Sequence, residues 1–199
     1  MPPVEHADLQ ELARREMIAN GFEPVFPAAV EVELQAIAAR PPAVAPGADV
    51  RDLRGLLWSS IDNDTSRDLD QIEVAERAAG GAVRILVGIA DVDAFVPEHS
   101  PIDAHAGIET TTVYTGVRNF PMLPDALSTG ATSLLEGADK LCIVIETIVG
   151  ADGSVRSGDV YRAVVRNKAQ LAYGAVGAWL ESRGSAPSKV AASPELKAL

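Results

Sequence analysis

The chain has 199 residues, 47% of them hydrophobic, enough for one sizeable core and a small appendage. Its 17 Lys and Arg stand against 28 Asp and Glu, a formal net charge of -11 that disfavours whole-surface attraction to nucleic acid or anionic lipid, so any polyanion must be bound locally. Apolar runs such as ILVGIADV are broken by Asp, nothing resembles a membrane span, and MPPVEHADLQ has no basic-then-apolar leader; the reading is a cytoplasmic protein with no membrane partner.

Asp8 followed by Glu11 predicts a capping box, and LQELARREMIA runs from it to the helix stop at Asn20-Gly21. Pro27 opens a second predicted helix, PAAVEVELQAIAAR, with Val30, Leu34 and Ile37 on one side. PPAVAPGA, residues 41 to 48, cannot continue that helix, so 1–42 read as an N-terminal helical segment and 43–55 as a linker. From Leu56 the period shifts toward strands. VRILVGIADV reads as a buried strand, and ADKLCIVIETIVGADGSVRSGDVYRAVVR as two strands joined at Asp152-Gly153. Cys142, inside the second run, reads as a small buried hydrophobe.

Between these strands, PEHSPIDAHAGIETTTVYTGVRNFPMLPDALSTGATSL is dense in Pro, Gly, Thr and Ser, too long for an idle loop, and reads as part of a binding surface. AQLAYGAVGAWLES, residues 169 to 182, reads as a helix with Leu171, Ala175 and Trp179 aligned and Tyr173, Val176 and Leu180 beside them, a core stripe. Residues 183–199 read as a frayed tail or a truncated continuation. Hairpin signals outnumber strand-helix-strand units. The predicted class is therefore α+β, a mixed, largely antiparallel sheet with packed helices, preceded by the small helical segment.

SIDNDTSRDLDQIEV, residues 60 to 74, brings Asp62, Asp64, Asp68 and Asp70 within nine positions and then turns to an amide at Gln71. If 68 to 75 are extended, Asp68, Asp70, Ile72 and Val74 share one face, so the strand anchors itself through its apolar end and holds carboxylates at its leading end. Two carboxylates about 4 Å apart repel by roughly 4 kcal/mol at an effective dielectric of 20, so three converging ones need protonation or a cation. Oxygen-only ligands suit Mg²⁺, Mn²⁺ or Ca²⁺, and no His or Cys is near to argue for zinc. Two other readings stand beside this one. The first is a solvated acidic loop. The second is a calcium loop with Asp62, Asp64, Ser66, Asp68, Asp70 and Glu73 at EF-hand ligand positions, against which Arg67 stands where the sharp turn requires Gly.

The order of segments around the aspartates resembles the RNB catalytic domain of the ribonuclease II family of exoribonucleases. SIDNDTSRDLDQIEVAE is similar to that family's acidic signature and VRILVGIADVDAFV to the strand after it; NFPMLP and TSL follow in order, then a hairpin and SVRSGDVYRAVVRNKAQLAYGAVGAWL. The resemblance spans about residues 56 to 181, which makes 56–182 the expected N-terminal part of such a domain.

It implies a metal-dependent 3'-to-5' exoribonuclease that hydrolyses single-stranded RNA to nucleoside 5'-monophosphates, with Mg²⁺, or alternatively Mn²⁺, held by Asp62, Asp68 and Asp70. Gln71 stands at the signature's fourth acidic position, where an amide offers a neutral oxygen and a donor but no charge. A catalytically impaired RNA-binding or regulatory protein is therefore the rival reading, and Asp64 is a candidate to compensate. Tyr114 matches the family tyrosine that stacks on a base near the 3' end, and Arg118, Arg162, Arg166 and Lys168 are candidates for phosphate contacts. Asp91 sits where a strand delivers a polar group to a site or caps a turn, while His6, His99 and His105 show no metal spacing. Beyond single-stranded RNA, the partners expected are the remaining C-terminal part of an RNB domain and an S1-type RNA-binding domain.

Overall fold

The computed structural model describes residues 8–198, so His6 and the first residues of the predicted helical segment lie outside the described residues. In chain order the first elements are α1 (Leu9–Ala19), α2 (Ala28–Ala39), β1 (Val50–Asp52), β2 (Ser59–Asp62), β3 (Gln71–Arg77) and β4 (Val83–Ala90). Then come α3 (Pro101–Glu109), the short strands β5 (Val113–Tyr114) and β6 (Asn119–Phe120), and a π-helical turn at Ala126–Ala131. The long strands β7 (Asp139–Val149) and β8 (Val155–Arg166) precede β9 (Ala169–Ala172), α4 (Tyr173–Leu180), α5 (Ser188–Ala192) and α6 (Pro194–Ala198).

Two compact units result, each discontinuous in sequence: Met1–Pro42 with Asp93–Leu127, and Ala43–Val92 with Ser128–Leu199. In the first, the Asp8 carboxylate accepts the N–H groups of Gln10 and Glu11 at 3.0 and 3.2 Å and starts α1. Glu11, the expected other half of a capping box, is drawn to Arg14 and Arg15 at 2.7 and 2.9 Å. Pro27 precedes α2, which buries Val30. The stretch read as part of a binding surface supplies α3, capped by Ser100, and the β5–β6 hairpin. Its Pro-Thr-Gly density marks where elements are short; it does not mark their absence.

The second unit is built on one sheet in the order β1-β8-β7-β4-β3-β2-β9. Only β1 with β8 and β2 with β9 run parallel; the other four pairings are antiparallel, so the sheet is mixed and largely antiparallel. The β7–β8 hairpin turns at Gly150–Ser154, where Gly153 has φ 80 and the Asp152 carboxylate accepts the Ser154 N–H and hydroxyl. Ile72 and Val74 of β3, Leu86 of β4, Cys142 and Val144 of β7, and Ala163 and Val165 of β8 line one buried face, closed by Trp58, Leu69 and Leu134. A Cβ on Gly88 would stand 3.2 Å from Ile72, 3.3 Å from the Cys142 sulfur and 3.4 Å from the Trp58 ring, so the absence of a side chain there lets the indole lie against the sheet. Burial, helped by the charge of Asp91, pushes the Cys142 thiol up to about 12, which fits the inert hydrophobe expected.

Three sequence expectations are corrected. Residues 68 to 70 are not part of a strand: β3 begins at Gln71, and Leu69 is buried although it is out of step with buried Ile72 and Val74. The predicted helix from residue 169 starts four residues later, because Ala169–Ala172 pairs in parallel with Ser59–Asp62 and is held as a strand by that partner. Of its proposed stripe, Leu171 and Val176 are buried, whereas Tyr173 and Leu180 are exposed. The stretch after residue 183 forms α5 and α6 and buries Val190 against Ala169, Leu171 and Val176, so it is not frayed there. Among the described residues no helix is long and apolar enough to cross a membrane.

Candidate functional site

Asp62 ends β2, an inner strand whose parallel register with β9 pairs Asp62 with Ala172. Its carboxylate accepts the N–H of Asn63 at 2.7 Å and is half-buried. The chain then leaves regular structure until Gln71, turning where Ser66 N–H meets the Asn63 carbonyl at 3.2 Å. Asp64 is exposed in this turn.

From Ser66 onward the backbone is held by groups remote in sequence. The Gln170 side-chain amide donates to the Ser66 carbonyl at 3.1 Å. The Ser133 hydroxyl, 1% exposed, donates to the Arg67 carbonyl at 2.6 Å and accepts the Leu69 N–H at 3.0 Å. The Leu69 carbonyl takes the Leu134 N–H at 2.8 Å, and the Asp70 carbonyl takes the Ala90 N–H at 2.8 Å. Buried Leu69 thus anchors a loop that leaves Asp68 half-buried and Asp70 exposed. Side chains and backbone groups from distant segments together stand in for the strand partner that residues 66–69 lack.

Asp62 and Asp70 make no ion pair among the described residues. Gln71 is exposed on the solvent side of β3, and its amide nitrogen donates to the Glu73 carboxylate at 3.0 Å. Burial raises the Glu73 pKa, the Gln71 hydrogen bond opposes that, and the charge of Asp70 adds to it. The donors of Asp62, Asp68, Asp70 and Gln71 are all oxygen, which fits a hard divalent ion in kind. In number they fall short of a ready cage, since among the described residues no three His, Cys, Asp or Glu side chains are grouped closely enough to hold one.

The remaining candidates separate. Asp91 is buried at the end of β4, 3.1 Å from the Arg162 guanidinium, and Arg166 is 2.6 Å from Asp139, so these two arginines have acidic partners within the sheet. Lys168 is exposed and its backbone N–H donates to Trp58. Tyr114 and Arg118 belong to the other unit. Tyr114, 64% exposed on β5, pairs with Asn119. Arg118 sits in the intervening turn with its N–H on the Thr115 hydroxyl at 3.0 Å and its guanidinium 5.1 Å from the ring centre of buried Phe120. His105 is buried against Phe26, and His99 is exposed.

Sequence reasoning named neither Ser133 nor Gln170. The Ser133 contacts span 64 and 66 residues and the Gln170 contact 104, and no local spacing carries a signal for them.

The RNB domain family matches residues 50–199. Ribonuclease R of Escherichia coli (strain K12) is 36% identical over 149 residues, covering 75% of this chain and 18% of that protein. Exoribonuclease 2 of Cronobacter sakazakii is 36% identical over 135 residues, 67% of this chain and 21% of that one. The structure of Mycoplasma genitalium RNase R in complex with ribose methylated single-stranded RNA superposes with a TM-score of 0.81 at 26% identity, over 96% of this chain and 30% of that one. The chain spans about a fifth of the length of these curated relatives. A largely antiparallel sheet that presents the acidic loop between its β2 and β3 strands, matched over residues 50–199 and superposable on a solved relative, settles the ancestry: the chain belongs to the RNB domain family.

Proposed function

We propose that the protein is a metal-dependent exoribonuclease that shortens single-stranded RNA from its 3' end and releases nucleoside 5'-monophosphates, and that it works in the cytoplasm. The observation that carries this reading is the acidic loop, whose backbone is fixed at Ser66, Arg67, Leu69 and Asp70 while Asp62 and Asp70 have no basic partner among the described residues. Carboxylates held in place and left uncompensated suit an external cation.

Asp62, Asp68 and Asp70 would hold Mg²⁺, with Mn²⁺ as the alternative ion. When bound, such an ion activates water toward phosphorus and offsets the charge that develops on the phosphoryl and leaving oxygens. Gln71 offers only a neutral oxygen there, and its nitrogen is turned to Glu73, so the set carries one charge fewer than four acids would give. The exposed Tyr114 ring would stack on a base of any identity, and Arg118, beside it in the hairpin turn, would meet a phosphate. These local contacts answer a net charge that repels polyanions elsewhere. The reading leaves further RNA contacts to the rest of an RNB domain and an S1-type domain, the partners the resemblance implies.

The test is the protein on 3'-labelled and 5'-labelled single-stranded RNA, with and without Mg²⁺, beside Asp70→Asn and Gln71→Asp. Metal-dependent mononucleotide release that Asp70→Asn abolishes is the expected result. RNA binding without release, with hydrolysis appearing only in Gln71→Asp, would replace the enzyme by an RNA-holding protein.

A further inference from the structure

A hydroxyl has one proton to give and lone pairs to accept with, and Ser133 uses both on the backbone flanking a single residue. It takes the Leu69 N–H at 3.0 Å and gives its own proton to the Arg67 carbonyl at 2.6 Å, so Asp68 is bracketed by one buried side chain. One residue earlier, the Ser66 carbonyl is held by Gln170. Gln170 is itself fixed, since its position on β9 pairs with Ser60 and its backbone N–H is taken by the Glu136 carboxylate at 2.6 Å. The Glu136 carboxylate in turn is held below the usual carboxylate range by the Gln170 N–H and the Lys189 ammonium, against the opposing effect of burial. The bracket therefore rests on the sheet and on α5, not on solvent.

We propose that Ser133 and Gln170 are positioning residues of the metal site: they fix the backbone that carries Asp68 and Asp70 relative to Asp62. This rests on the reading of Asp62, Asp68 and Asp70 as ligands. The energetic logic is preorganisation. An irregular acidic loop left to itself would spread to separate its charges, and gathering it would then oppose every binding event. With the two clamps the ordering is completed on folding, and the ion meets a loop already in place. Ser133→Ala removes the hydroxyl and leaves the buried Leu69 N–H without its partner, which frees the segment on both sides of Asp68.

The experiment measures Mn²⁺ affinity by the electron paramagnetic resonance signal of the free ion, using the full protein, Asp70→Asn, Ser133→Ala and Gln170→Ala. Alongside it run the thermal midpoint in chelator and the Mg²⁺ dependence of RNA hydrolysis. Ser133→Ala is expected to weaken Mn²⁺ binding by about 10- to 100-fold, the range for removal of a supporting partner, and to lower kcat with KM for RNA unchanged. Gln170→Ala is expected to weaken it a few-fold, and excess Mg²⁺ restores part of the activity in both. A lower thermal midpoint with wild-type Mn²⁺ affinity in both clamp variants would overturn the proposal and leave a structural role only. Should Ser133→Ala fail to fold, half-buried Gln170 decides the matter, and unchanged affinity there overturns it equally. If the wild-type affinity survives in Asp70→Asn, the ligand reading itself has failed; if Asp70→Asn loses it while both clamp variants keep it, only the positioning role has.

Discussion

The two ends of β3 treat carboxylates in opposite ways. At its far end Glu76 shares Arg84 with Glu146, at 2.6 and 2.7 Å, the Tyr161 hydroxyl donates to Glu146 at 2.6 Å, and Arg51 lies 3.5 Å over the Tyr161 ring while pairing with Asp159. Hydrogen bonds from Arg84 and then Tyr161 hold the Glu146 carboxyl down at about 2. At the near end Asp62 and Asp70 have no ion pair among the described residues, and the chain spends its hydrogen bonds on the backbone between them. Charge cancelled inside the chain serves the fold. Charge that is held in position and not cancelled is available to something from outside.

Changing each end separately separates these roles. The largest effect expected is from Asp70→Asn, which removes one uncompensated charge and should lower metal-dependent RNA hydrolysis by at least about 100-fold while leaving urea stability within about 0.5 kcal/mol, read by product release and by denaturant titration. Arg84→Ala is the converse. It leaves two carboxylates facing each other in a partly buried site and should lower unfolding free energy by about 2 kcal/mol, screened from the buried-pair range because Arg84 is 29% exposed, with Mn²⁺ affinity unchanged. Equal loss of metal affinity in both variants would dissolve the contrast.

Acid gives the same contrast without mutation. Because the folded-state pKa of Glu146 is depressed, its contribution is complete above the ordinary Glu value of about 4.3 and is lost as pH falls toward about 2. Stability measured by urea midpoint should therefore fall across that window, and the fall should be shallower in Glu146→Gln. The smallest effect is Gln71→Asp, which adds a fourth acid at the near end and breaks the hydrogen bond to Glu73. A few-fold gain in Mn²⁺ affinity is expected; a loss would mean that the amide and its Glu73 partner already serve the ion better than charge does.

How much of this could be read from residues alone depends on how far apart the partners are. The cap at Asp8, the turn at Asp152-Gly153 and the strand over VRILVGIA are set by near neighbours, and the structure places them where periodicity and turn chemistry do, although of that strand only Leu86 and Gly88 are fully buried. The acidic run was legible as a set of donors, but its conformation was not. Alternation made Asp68 and Asp70 strand residues in phase with Ile72, whereas Leu69 is the buried one because Ser133 and Leu134 hold its backbone. AQLA reads as helix by composition and is a strand because β2 lies beside it. The 93–127 segment falls in one unit with the N-terminal helices, a grouping that no composition shift along the chain signals. In each case the deciding contact lies tens of residues away, beyond any local pattern.

The outermost strands of the seven-stranded sheet, β1 and β9, are only three and four residues long, while the eleven- and twelve-residue strands β7 and β8 lie inside it. A long open border would offer a row of unpaired amide groups to any other extended chain, and that is how sheets recruit copies of themselves into aggregates. Here β9 closes one border with four residues, whereas β1 covers β8 only at Arg162, Ala163 and Val164, so among the described residues the outer edge of 155–161 has no strand partner and the exposed Arg156 and Asp159 supply the charge that deters such pairing. A protein nearly half hydrophobic thus guards one margin by brevity and the other by charge.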